Sequence, residues 1–273
     1  MYARQTSQLI AAGLAISWLL ACHFAGAGEP ATTTPQKVEK QDEVWLWTMG
    51  PAMTEWWAKQ QKPLEAVCSA EQLIEFYGAR HVMYFENAPH TREVAKRFAR
   101  ADKLVLSAGS LESLGPCPNL AGIIIDDFSS NLSKHTPDSL ADIHRRLKAR
   151  DARLNLYTVI YTMHFNLDFK PFLPFIDVVS LWVWQSKDLA DLDRHLERCR
   201  EIFPGKPIVL GLYVYEYPKS QFIPLELVQF EFRKARDYTR RGLIDGYQVL
   251  GSYFVKELQT PQARWVRDFI RAR

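Results

Sequence analysis

From residue 44 onward the chain repeats one pattern: a short apolar run, a turn, then a segment with apolar residues at helical spacing. The apolar runs are rich in β-branched and aromatic residues and are short enough to be strands. They predict strands over 44–50, 81–87, 103–109, 122–128, 154–162, 177–185, 207–217 and 245–251. Helical spacing predicts helices near 70–78, 91–101, 136–150, 187–203 and 224–241, with a last one from 260 to the end. Thr136 ahead of Pro137 is a good N-cap and first-turn pair, and Thr260-Pro261 repeats it. A Trp-rich loop follows the first run, and a short segment around 169–175 follows the fifth.

Eight strands alternating with helical or linking segments predict an α/β chain folded as a single (β/α)8 TIM barrel over 44–273. No GxGxxG follows the first strand, which argues against an open, doubly wound sheet. No internal repeat or second domain is visible. The N-terminus reads differently. Arg4 precedes an apolar stretch over 9–21, shorter than the roughly 20 residues that a membrane span needs. Ala25-Gly26-Ala27 is a small-x-small cleavage site, so residues 1–27 read as a signal peptide. Leu19 to Cys22 also resembles a bacterial lipobox, which would make Cys22 a lipidated first residue. Residues 28–43 are polar and rich in Thr and Pro, a flexible linker. These features predict export, to the periplasm, the exterior or a lipid anchor in the envelope.

Charge and cysteine usage narrow the partners. A formal net charge of +3 with no basic stripe gives no signal for nucleic acid. Cys68, Cys117 and Cys199 lie beyond the signal, and an oxidising compartment would permit one disulfide, for which Cys68–Cys117 is the expected pair. Their spacing fits no zinc motif, and neither a metal site nor a cofactor is predicted. Aromatic residues make up 12% of the chain, with eight Trp, so where they fall matters.

Strand residues alternate between the barrel interior and the helix layer. That alternation sends Trp45 and Trp47 of the first strand inward, Val82, Tyr84 and Glu86 of the second, and Gly122, Ile124 and Asp126 of the fourth. It sends Ser180, Trp182 and Trp184 of the sixth inward, Gly211, Tyr213 and Tyr215 of the seventh, and Gln248 of the eighth. Active sites of such barrels gather at the carboxyl ends of the strands. The stretch GIIIDDF, 122–128, is the sharpest candidate, because an apolar run ending in two acids is hard to explain by packing. The candidate catalytic acids are Asp126, Asp127, Glu86 and Glu216; the candidate substrate-binding residues are Trp47, Tyr161, Trp184, Tyr215 and Gln248. Each has a plainer structural alternative: loop-bonding or capping for the acids, core packing for the aromatics. Aromatic faces beside carboxylates suit a sugar, whose C–H face stacks on a ring while its hydroxyls bond to acids and amides. Cleaving a glycosidic bond needs two carboxyl groups, one as acid and one as nucleophile or base.

Gly122-Ile-Ile-Ile-Asp126 resembles the G-x-x-x-D fourth strand of several (β/α)8 glycoside hydrolase families. Glu216, at the end of the seventh strand, is similar in placement to the nucleophile of the largest retaining clan. The chain lacks that clan's Asn-Glu pair on the fourth strand and the DxxDxDxE run of chitinase-like barrels, so the resemblance is to an architecture and not to one family. It implies a hydrolase acting on a carbohydrate. A barrel that binds sugar without cleaving it is the alternative. A metal-dependent phosphodiesterase would need more His and Asp at strand ends than the sequence supplies.

Overall fold

The computed structural model describes residues 42–51, 55, 67–86, 92–111, 115–250 and 254–272. The signal peptide, Cys22 and the linker up to residue 41 lie outside them. Residues 39–273 form one compact unit. Its frame is a closed barrel of eight parallel strands: β1 Val44–Met49, β2 His81–Phe85, β3 Lys103–Ser107, β4 Leu120–Ile125, β5 Asn155–Tyr161, β6 Val178–Trp182, β7 Ile208–Tyr213 and β8 Gly246–Leu250. Each strand pairs with its sequence neighbours, and β8 closes on β1 through Trp45 opposite Gln248. The fold is the (β/α)8 barrel that the sequence predicts.

The helix layer forms where local signals are strong. The helix α1, Ala70–Tyr77, opens on a capping box between Ser69 and Gln72 and closes on Gly78 in the left-handed region. After the short α2, Arg92–Arg97, comes α3, Pro137–Arg150, capped by Thr136 as its sequence predicts. The helix predicted over 187–203 is divided into a 3-10 segment, Ser186–Asp191, and α4, Leu192–Ile202. Two more helices, α5 Leu225–Arg240 and α6 Pro261–Arg271, complete the layer. The segment around 169–175 is a 3-10 helix, Lys170–Phe175.

Three expectations are corrected. On β2 the phase is reversed: Tyr84 packs on Phe98 at 4.9 Å and takes a hydrogen bond from Arg97 of α2, while Phe85 stacks on Trp47 at 3.9 Å. All five residues of β2 are apolar or aromatic except its first, so alternation has no polar contrast to fix its phase. The strand predicted to run to 217 stops at Tyr213. Val214 interrupts it, and Tyr215–Glu216 then pairs antiparallel with Gln221–Phe222 in a small hairpin. The cysteines are free thiols: Cys68 and Cys199 are buried, and Cys117 donates to Asn119 Oδ1 at 3.2 Å, so no Cys68–Cys117 bond forms. Burial pushes the Cys68 thiol up to about 11 and Cys199 to about 12, which leaves both unreactive at neutral pH.

Candidate active site

The sharpest sequence feature ends at the C-terminal mouth of the barrel. Strand β4 stops at Ile125, and a turn begins at Asp126. Asp127 holds φ at +50°, a conformation that costs a non-glycine residue roughly 1–2 kcal/mol. That twist lets the Asp127 amide donate to Asp126 Oδ1 at 2.9 Å. Asn131 secures the turn, donating its amide to Asp127 O at 2.9 Å. Phe128, fully buried, anchors it against Phe172 and His135.

The two acids have different surroundings. Asp127 accepts a hydrogen bond from the Tyr161 hydroxyl at 2.7 Å. Tyr213 lies near enough to Tyr161 for the two phenols to act on each other, beside the bond from Tyr161 to Asp127. Both phenols are buried, and burial pushes both well above the ordinary tyrosine range. They therefore stay protonated and act as donors. Asp126 is exposed at the mouth, and its charge acts on Tyr161 and Tyr213. Burial and then the neighbouring Asp127 charge push its carboxyl up to about 7, against the opposing pull of the Asp127 amide. Among the described residues, no cation acts on it. An acid half-protonated near neutrality beside an acid held by a phenol is what proton transfer to a leaving group needs.

Aromatic rings build one wall beside this pair. Trp184 meets Tyr161 at 5.5 Å and Tyr213 at 5.8 Å, and lies nearly parallel to Tyr217 at 6.0 Å. Trp184 is half-buried, so part of it stays available. Tyr215 has turned away with the hairpin and packs on Tyr217 and Phe222. Tyr213 and Tyr217 are the site residues not singled out from sequence. Tyr213 falls on the inward phase of β7, but its position just before the break hides that it packs against Trp184 and Tyr217 at the mouth.

The other predicted residues lie deeper or further out. Trp47 is buried between Phe85 and Trp182, beneath the mouth rather than on it. Gln248 is fully buried and donates through Nε2 to Ser180 Oγ, which also takes Trp182 Nε1 at 2.9 Å. Gly211 leaves room for the Trp182 indole, since a Cβ there would run into its ring. Glu86 is half-buried over Gly50, with the Tyr84 hydroxyl 3.5 Å from its Oε2. Glu216 is buried and fully engaged. It takes Ser186 Oγ at 2.7 Å and Ser186 N at 3.3 Å, and pairs with Lys219 Nζ at 3.0 Å. Burial opposes its charge, but Ser186 and Lys219 outweigh burial and hold it below the usual glutamate range. It ties the hairpin to the loop after β6. Among the described residues, no three His, Cys, Asp or Glu side chains converge in a metal-binding group.

No protein-family profile matches the chain, and no curated protein matches it in sequence. Solved structures do match in fold. A GH2 β-galacturonidase from Eisenbergiella tayi superposes with a TM-score of 0.54 at 11% identity, over 84% of this chain and 50% of its own. The chain thus spans half the length of that enzyme. The PgaB glycoside hydrolase domain from Bordetella bronchiseptica gives 0.50 at 11% identity, over 84% of this chain and 99% of its own. The barrel is glycoside hydrolase-like in fold. A xylanase-α-amylase inhibitor protein, solved with trehalose, gives 0.52 at 13% identity over 85% of this chain and 98% of its own. Identities this low speak for the fold alone.

Proposed function

We propose that this chain is an exported glycoside hydrolase in which Asp126 is the general acid. The observation that carries the reading is the Asp126–Asp127 turn at the barrel mouth: one carboxyl raised to about 7, its neighbour held by Tyr161, both beside the Trp184–Tyr217 wall. Asp126 gives its proton to the glycosidic oxygen as the bond breaks. Asp127, aligned by Tyr161, sets negative charge beside the oxocarbenium-like transition state. Trp184 offers a face to the sugar's C–H side. Glu86 follows Tyr84 to the helix-layer side of β2, so water adds at the sugar carbon that the leaving oxygen vacates and gives its proton to Asp127; Glu216 positions the hairpin. Residues 1–27 direct export, by cleavage after Ala27 or by lipidation of Cys22, and the mass of the mature N-terminus separates the two.

The test is release of new reducing ends from a panel of plant and bacterial polysaccharides. Activity should fall as pH rises through about 7, because Asp126 must carry its proton. Absence of product from every glycan, with measurable affinity for one of them, would replace this reading by the second. That second reading is a barrel that binds carbohydrate without cleaving it. It is favoured by the tight engagement of Glu216, and by the fold likeness to an inhibitor protein solved with trehalose.

A further inference from the structure

Ser129 and His164 stand next to the acid pair but are not part of it. Ser129 closes the turn that begins at Asp126, and its amide donates to Val159 O of β5 at 3.1 Å. Its side chain is buried, with Oγ taking the Tyr161 amide at 3.0 Å and lying 3.0 Å from His164 Nδ1. His164 ends the short turn Thr162–His164 that follows β5, half-buried, with its ring edge-on to Tyr161 at 5.9 Å.

Counting hydrogens decides the direction of the Ser129–His164 bond. The Tyr161 amide has one hydrogen and gives it to Ser129 Oγ. Ser129 has one hydroxyl hydrogen of its own. If Nδ1 carried a proton and donated to Oγ, the buried serine hydrogen would be left with no acceptor, a loss comparable to a broken hydrogen bond. If Ser129 donates to a bare Nδ1, every hydrogen is used. The neutral imidazole then carries its proton on Nε2. With Nδ1 held by Ser129, Nε2 points away from that serine, on a ring that stands edge-on to Tyr161, the partner of Asp127.

We infer that His164 contacts the substrate, presenting Nε2–H to an oxygen of the bound sugar, and that Ser129 is the positioning residue that fixes this tautomer. The inference rests on the sugar-site reading above and adds a neutral N–H donor beside the two carboxylates. Its first half needs no substrate to test. Histidine-labelled protein, in long-range proton–nitrogen NMR at mildly alkaline pH, reports the tautomer of each of the seven histidines. His164→Gln assigns the signal. The expected result is an Nε2–H tautomer that mixes with the other form in Ser129→Ala. An Nδ1–H tautomer in the wild type would overturn the inference, and that outcome stands even if Ser129→Ala fails to fold.

The contact itself is read by adding cellobiose, laminaribiose, chitobiose and digalacturonate in turn, each in large excess. A sugar that moves the Trp184 indole signal should also move His164 Nε2. His144 should stay still, since Asp177 holds it at the other end of the barrel. His164→Leu should weaken that sugar about tenfold, the loss of one hydrogen bond, and His164→Gln should recover most of it. Shifts at Trp184 with His164 unmoved would overturn the contact alone. No shift at either residue with any of the four would overturn the contact together with the sugar site.

Discussion

Asp126 and Asp177 are the same side chain at opposite ends of one barrel. Desolvation by the surrounding protein opposes the charge of both. The partners differ. Asp177, ahead of β6, takes the Leu156 amide at 2.9 Å, Lys148 Nζ at 3.0 Å and His144 Nε2 at 3.3 Å. Those donors hold it below the ordinary aspartate range in spite of burial. Asp126, behind β4, has only the Asp127 amide and a like charge, and rises to about 7. The rest of the N-terminal end follows Asp177: Asp42 pairs with Arg236, Glu43 with Lys103, and Asp245 takes the Ile208 amide. Acids at that end hold the barrel together. Among the described residues no cation pairs with Asp126 or Asp127, an arrangement that serves proton transfer better than stability.

The comparison can be broken by removing the charges one at a time. Asp126→Asn should reduce glycan turnover by about 10²- to 10⁴-fold, the usual worth of a general acid, with sugar affinity kept. Equal turnover in the variant would end its assignment.

Glu231 of α5 takes the contrast further. It is buried, its Oε1 meets no donor, and burial alone pushes its carboxyl well above the usual range. A raised acid contributes fully below its unfolded-state value and loses that contribution as pH rises toward the folded one. Wild-type stability should therefore decline by roughly 1.4 kcal/mol per pH unit from Glu231 above about pH 4.3. Denaturant titrations of Glu231→Gln should lack that slope.

Asp177→Asn should cost about 1–3 kcal/mol at pH 7, by leaving Lys148 short of its counter-charge. Here the sign is opposite: the folded value is depressed, so the deficit should shrink as pH falls below about 4. Glu216→Gln should give the smallest change. Melting should show a loss of about 1 kcal/mol from the weakened Ser186 and Lys219 bonds, with turnover changed less than in Asp126→Asn. A loss of turnover as deep as that of Asp126→Asn would return Glu216 to the chemistry.

Much of this was legible in the residues themselves. The eight apolar runs are the eight strands, and GIIIDDF ends where a barrel site should be. Alternation brought Trp184 to the mouth because the sixth run carries its Trp residues on one phase and its aliphatic residues on the other. It failed on β2, where His-Val-Met-Tyr-Phe offers apolar groups in both phases. It failed after Tyr213 because Val-Tyr-Glu-Tyr continues the strand pattern, while what bends the chain is the bond from Glu216 to Ser186, on another loop. The different partners of Asp126, Asp177 and Glu216 are likewise long-range, and local sequence says nothing of them.

The most direct measurement is a carboxyl carbon NMR titration of Asp126 and Asp177 in the same sample of folded protein. The two should separate to opposite sides of an ordinary aspartate, about 3.9, with Asp126 turning near 7 and Asp177 below the reference. An Asp126 that titrates together with Asp177, or beneath it, would contradict the account of the mouth as the acid end of this barrel.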